Sequence, residues 1–151
     1  MATDNFLARN KITFHSVSAV AGSTDISPAN GIDTAGFQGL VFIASYGVLT
    51  ATAVTGLHLE QSSVIDGTGD AFTAVAGSSI LIDDDEDNGL LAIELIGPAE
   101  RFIRCVIDRA TANAVFNGVI AIQYGGAKLP VTHDATVRDS EIHVDAIAGT
   151  A

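Results

Sequence analysis

From Arg101 to Arg109 the chain reads RFIRCVIDR and changes character at every step. Ile103, Cys105 and Ile107 form one apolar row, while Arg104 and Asp108 share the opposite row with Phe102 and Val106. A period of two belongs to a strand, whose side chains alternate between the faces of a sheet. The pattern recurs in AVTGLHLEQSS, where Leu57 and Leu59 oppose His58 and Glu60. It recurs again in LLAIELIG, where Leu91, Ile93 and Leu95 oppose Leu90, Ala92 and Glu94. Further strand candidates are Ile12–Val20, AFTAVAG with SSILI (one strand or two, broken near Gly77), and NGVIAIQYGG. Leu40–Leu49 is apolar on both faces, which predicts a central strand. Gly, Asp, Asn and Pro punctuate these segments, and none sustains a helical period. Seven or so short strands predict an all-β domain, an antiparallel β-sandwich or jelly-roll-like β-barrel with extended arms at both ends.

The 151 residues suffice for one domain with a real core. Residues 1–11 read as an N-terminal arm, 12–131 as the sandwich and 132–151 as a C-terminal arm or tail. Ile142, Val144 and Ala146 alternate weakly in that tail, as a segment would that adds as a strand to a neighbour or hangs loose. Seven basic against 18 acidic residues give a net charge of −11, which disfavours nucleic acid and anionic lipid surfaces. No apolar run approaches the roughly 20 residues that span a bilayer. The N-terminus lacks a signal-peptide pattern and Cys105 has no disulfide partner, so synthesis and use in the cytoplasm, or packing into something assembled there, are expected.

The stretch DDDEDNG, Asp83 to Gly89, tests for a metal loop. Counted as an EF-hand it offers Asp83, Asp85 and Asp87, with Glu94 at the twelfth place. The glycine falls one place late, and a strand from Leu90 would carry Glu94 about 15 Å from the loop. The favoured reading is a solvated hairpin tip closed by Asn88-Gly89; Asp83, Asp85 and Asp87 stay as the metal candidates. His15, His58, His133 and His143 show no metal-ligand spacing. The sequence holds no G-x-S-x-G elbow, phosphate loop or dinucleotide fingerprint, so neither an enzyme nor a cofactor is expected. Cys105 reads as a buried, inert thiol. Arg101, Arg104 and Arg109 read as cross-strand partners of acids such as Glu94 or Asp108, or else as contacts for an acidic patch on another subunit.

Three stretches, GIDTAGFQGLVFIASYGVL (31–49), ERFIRCVIDR (100–109) and GVIAIQYGGAKLPV (118–131), follow an order that resembles a family of tailed-bacteriophage head decoration, or cement, proteins. The most specific parts are Gly31–Phe37 and Arg101–Arg104; QYGGAKLP departs from the family's His-Pro-Arg type of exit. The resemblance implies a structural virion protein on the outer surface of the head, clamping adjacent copies of the major capsid protein. It also implies a homo-oligomer, with a trimer expected at local three-fold positions. Contacts would come from the arms and the SPANGIDTAGF loop, with Ile32, Asp33, Phe37, Arg101, Arg104, Ile142 and Val144 as candidate residues. The alternatives are a carbohydrate- or cell-surface-binding sandwich, Ca²⁺-dependent through residues 83–89, and a phage tail or baseplate component.

Overall fold

The computed structural model describes residues 5–142. A single helical turn, α1 (Phe6–Arg9), precedes ten strands: β1 (Lys11–Ser16), β2 (Ala19–Gly22), β3 (Ile32–Asp33), β4 (Gly39–Leu49), β5 (Val54–Ser62), β6 (Thr73–Ala74), β7 (Ile80–Ile82), β8 (Leu90–Ile96), β9 (Phe102–Ala110) and β10 (Ala114–Tyr124). They form two antiparallel five-stranded sheets packed as a sandwich. The first runs β1-β10-β4-β8, with β2 extending the β1 edge; the second runs β3-β9-β5-β6, with β7 also on β5.

The pairing is nested. The first half of the chain runs against the second, β1 with β10, β3 with β9, β4 with β8, and β5 with β6 and β7. Successive pairs fall alternately in the two sheets, which is the path of a jelly roll. The sandwich fold expected from the alternation is therefore present.

Between the sheets lie Leu40, Phe42 and Ala44 of β4, Leu57 and Leu59 of β5, Ile103, Cys105 and Ile107 of β9, and Phe116, Val119 and Ala121 of β10. Each fully buried Leu, Ile or Phe contributes about 1.5–3 kcal/mol through removal from water. A cross-sheet hydrogen bond from backbone to imidazole threads this core. The chain leaves the β9 edge between Ile26, bridged to Ile107, and Ile32, paired with Ile103. The Cys105 N–H faces that gap and donates to His15 Nε2 of the other sheet at 3.1 Å, while the imidazole packs on the Phe42 ring with centroids 5.0 Å apart. An N–H buried there without a partner would cost about 1–3 kcal/mol.

Several boundaries differ from the sequence reading. Ile12–Val20 is two strands, β1 and β2, parted at Val17 and Ser18, and a register shift between Phe14 and Ser16 marks the end of β1. The AFTAVAG–SSILI region is also two strands, parted at Gly77, whose φ of 74° suits glycine. The acidic run is not a hairpin tip. It links β7, which pairs with β5, to β8, which pairs with β4, and so crosses from one sheet to the other. Both expected arms fold back onto the sandwich: Val131 N–H donates to Ala8 O, Asp134 N–H to Ile12 O, Ile12 N–H to His133 Nδ1 and Phe14 N–H to Thr136 Oγ1. The start of the expected C-terminal arm thus lies along the outer edge of β1. Val144 falls outside the described residues.

Candidate functional site

The two outer faces of the sandwich differ in chemistry. The second sheet's face is charged. Arg104 and Glu60 stand opposite each other across β9 and β5, with Nε to Oε2 at 2.6 Å. The Arg104 guanidinium also donates to Pro28 O and lies 4.1 Å from the Phe72 ring centroid. His58 Nδ1 sits 2.8 Å from Asp108 Oδ1. Burial works against the charged imidazole, but the Asp108 and Glu60 carboxylates outweigh it and hold the His58 pKa above its ordinary value.

The first sheet's outer face is apolar. Register places Phe14, Ile120, Ile43 and Ala92 in one row across four strands, and Ile12, Ile122, Val41 and Glu94 in the next. Gly118, Ser45 and Leu90 form a third row; Tyr124, Gly39 and Ile96 form a fourth. Phe14 is 40% exposed, Ile120 37%, Leu90 68% and Ile96 72%, so these side chains meet solvent. The one charged group in the four rows, Glu94, accepts a hydrogen bond from the Tyr124 hydroxyl at 2.5 Å. The Phe14 ring lies across Gly118, where a methyl would sit 2.6 Å from the ring and the φ of 132° disfavours any side chain. The apolar sheet face is contiguous, on a chain of net charge −11.

The two segments most specific to the phage resemblance lie against each other. Ile32 and Asp33 of β3 pair with Ile103 and Phe102 of β9. Thr34 donates through N–H and Oγ1 to Arg101 O at 2.9 and 2.7 Å. Arg101 grips Asp33 with a two-pronged contact, Nε to Oδ1 at 2.9 Å and Nη2 to Oδ2 at 2.8 Å, and this holds the Asp33 carboxyl below its usual range. Ile32 is a core residue, which removes its side chain from the expected contact set. Arg101 and Arg104 pair with Asp33 and Glu60 in place of Glu94 or Asp108. Arg109 is buried and donates to the carbonyls of Val20, Thr24 and Ala114, fastening β2 to the sandwich. Phe37 is half-buried in a recess at the end of the sandwich, and Ile142 is exposed.

The acidic crossover is clasped to the β4–β5 turn. Asp87 Oδ1 accepts from Leu49 N–H at 2.7 Å, and Asp84 accepts from Thr52 N–H. Asn88 takes the left-handed conformation, φ 60°, and donates its N–H to Gly47 O at 3.0 Å. Among the described residues no three His, Cys, Asp or Glu side chains gather into a group that could hold a metal ion, so Asp83, Asp85 and Asp87 do not converge as a cage. Asp87→Ala is expected to lower unfolding free energy by about 1 kcal/mol, because a partly buried N–H loses a charged acceptor. Asp87→Asn keeps an acceptor and is expected to cost less; urea midpoints of the two variants check the difference. Cys105 is fully buried and burial pushes its pKa up to about 12, so the thiol is inert near neutrality.

The apolar outer face went unnoticed in the sequence, although its signal was there. Val41, Ile43, Ile120 and Ile122 have the parity opposite to the core residues of the same strands. Among the described residues no helix is long and apolar enough to cross a membrane.

The sequence matches no protein-family model and no curated protein. A solved structure of infectious bursal disease virus, Gx strain, is similar to 82% of this chain at 13% identity and a TM-score of 0.44. The match covers 32% of that chain, so this protein spans about a third of its length.

Proposed function

We propose that the chain is a structural virion protein that decorates the outer surface of a tailed-phage head and clamps adjacent major capsid subunits. The carrying observation is the first sheet's outer face, where Phe14, Val41, Ile43, Leu90 and Ile120 form an apolar surface with Glu94 as its one charged group, on a strongly acidic protein. Such a face favours a protein surface over water, because contact removes apolar area from solvent at about 25 cal/mol per Å². The opposite face carries Arg104–Glu60 and His58–Asp108 and suits solvent, as the exterior of a decorated particle requires. The jelly-roll fold is used by viral capsid domains among others, and compatibility is all that it adds.

Each copy would bind modestly, and an array of equivalent sites would make the layer strong. A homo-oligomer about a symmetry axis, with a trimer favoured, is the form in which such a protein bridges neighbours. The test is thermal disruption of heads with and without the protein. Decorated heads are expected to release their contents at a higher temperature; equal release temperatures at full occupancy would overturn the clamping role.

A further inference from the structure

The two ends of the sandwich present different charged groups. β4 runs 11 residues from Gly39 to Leu49, so its ends lie about 33 Å apart at about 3.3 Å per residue. At the Leu49 end sits the acidic crossover. Asp84 and Asp87 are spent on the chain's own Thr52 and Leu49 N–H groups, which fixes the loop's shape. Asp83, Asp85 and Glu86 have no side-chain partner among the described residues, and all three are exposed.

At the Gly39 end is a recess of about 590 Å³, open to solvent, between the β3–β4 turn and the chain after β10. Phe37, Pro130 and Val131 supply apolar walls, and Lys11 and Lys128 supply two ammonium groups. A neighbouring recess, reached across Gly126, is lined by Arg9. Of the chain's seven basic residues, Arg101 and Arg104 are held by Asp33 and Glu60, and Arg109 is buried on carbonyls. Asp33 and Asp134, the carboxylates electrostatically coupled to Lys11, are themselves engaged, by Arg101 and by Thr136. Arg9, Lys11 and Lys128 thus gather at one pocketed end, and Arg138 is exposed on the segment that follows Thr136.

We propose that copies of this chain join head to tail, with the Asp83–Asp87 loop of one copy seated in the Lys11–Lys128 recess of the next. Charge complementarity selects the occupant: a preshaped loop with three unpartnered carboxylates matches a recess with two ammonium groups. The contact is heterologous, so it propagates, and it closes into a ring where the rotation between copies divides a full turn. It leaves the first sheet's outer face uncovered for another partner. The inference rests on the charge map of the chain and not on the head-decoration reading.

Sedimentation of the purified protein at low and high salt tests it. A discrete oligomer is expected at low salt, shifting toward monomer at about 1 M salt, where the Debye length falls to about 3 Å. Lys11→Glu/Lys128→Glu and Asp85→Lys/Glu86→Lys should each be monomeric, with circular dichroism and melting temperature confirming folded chains. An equimolar mixture of the two variants should associate again, since every contact in an alternating assembly is then complementary. A monomeric wild type, either variant still assembling, or a folded mixture that stays monomeric would each overturn the proposal. An oligomer that resists both reversals but is lost in Ile43→Glu would mean that copies meet through the sheet face instead. None of these outcomes decides head binding, which the particle-disruption experiment reads separately.

Discussion

Lowering the pH from 7 to 4 is expected to remove about 3 kcal/mol of folding stability through His15 alone. Burial of the imidazole, chiefly, lowers its pKa from 6.5 to about 4; the hydrogen bond from the Cys105 N–H and the nearby Arg104 charge are the smaller influences. The unfolded chain therefore takes up a proton at higher pH than the folded one, and stability falls as pH drops from 6.5 toward 4. A shift of this size corresponds to about 3 kcal/mol at 1.36 kcal/mol per pKa unit. The upper part of the window, between pH 6.5 and about 5, belongs to His15. The raised pKa of His58 makes a contribution that is already complete below 6.5 and is lost only as pH rises. The lowered carboxyls of Asp33, Asp66, Asp70 and Asp134 begin to lose theirs at about pH 5 and lose most of it below their ordinary 3.8. His15→Gln keeps an acceptor for the Cys105 N–H and should flatten the profile between pH 6.5 and 4. His15→Leu should flatten it as well, and should lower stability at pH 7 by about 1–3 kcal/mol by leaving that N–H unsatisfied. Urea denaturation across this range checks all three; an unchanged slope in His15→Gln would remove the imidazole from the account.

A single carboxylate at the centre of the apolar sheet face is expected to weaken head binding by about a hundredfold or more, the effect of about 3 kcal/mol at a central, desolvated position. Ile43 is the position to change. It lies between Ile120 and Ala92 and is only half-buried in the isolated chain. Ile43→Glu should therefore alter the protein's own stability by about 1 kcal/mol or less. Against a partner surface the new charge would be desolvated without a counter-ion. Val54→Glu, on the outer face of the second sheet, is the matched control and should leave binding unchanged. Co-sedimentation with undecorated heads measures both. Equal losses in the two variants would mean that added negative charge, and not this face, is what matters.

What the sequence disclosed was what strand parity carries. The rows Ile103–Cys105–Ile107, Leu57–Leu59 and Leu91–Ile93–Leu95 all face the core or pack against it, because alternation is a local property of extended backbone. Leu40–Leu49 is central, flanked by β10 and β8. Parity does not reveal whether a second apolar face is covered, and the face of Val41 and Ile43 is open. Register and sheet membership are non-local and escaped in the same way. Asn88-Gly89 has the local signature of a hairpin turn, yet the strands on either side belong to different sheets. Arg101 and Arg104 do find carboxylates, but Asp33 and Glu60 become their partners only once β3 and β5 flank β9; the Arg109 side chain finds backbone carbonyls instead. The His15 bond to Cys105 spans 90 positions and both sheets, and no spacing rule anticipates it.

Docking through the first sheet's outer face is the centre of the functional account, and cryo-electron imaging of decorated heads addresses it most directly. The account predicts that the face bearing Phe14, Ile43, Leu90 and Ile120 lies against the major capsid protein, with the Arg104–Glu60 face toward solvent. Heads carrying the protein with that apolar face outward, or heads that bind none of it, would contradict the account.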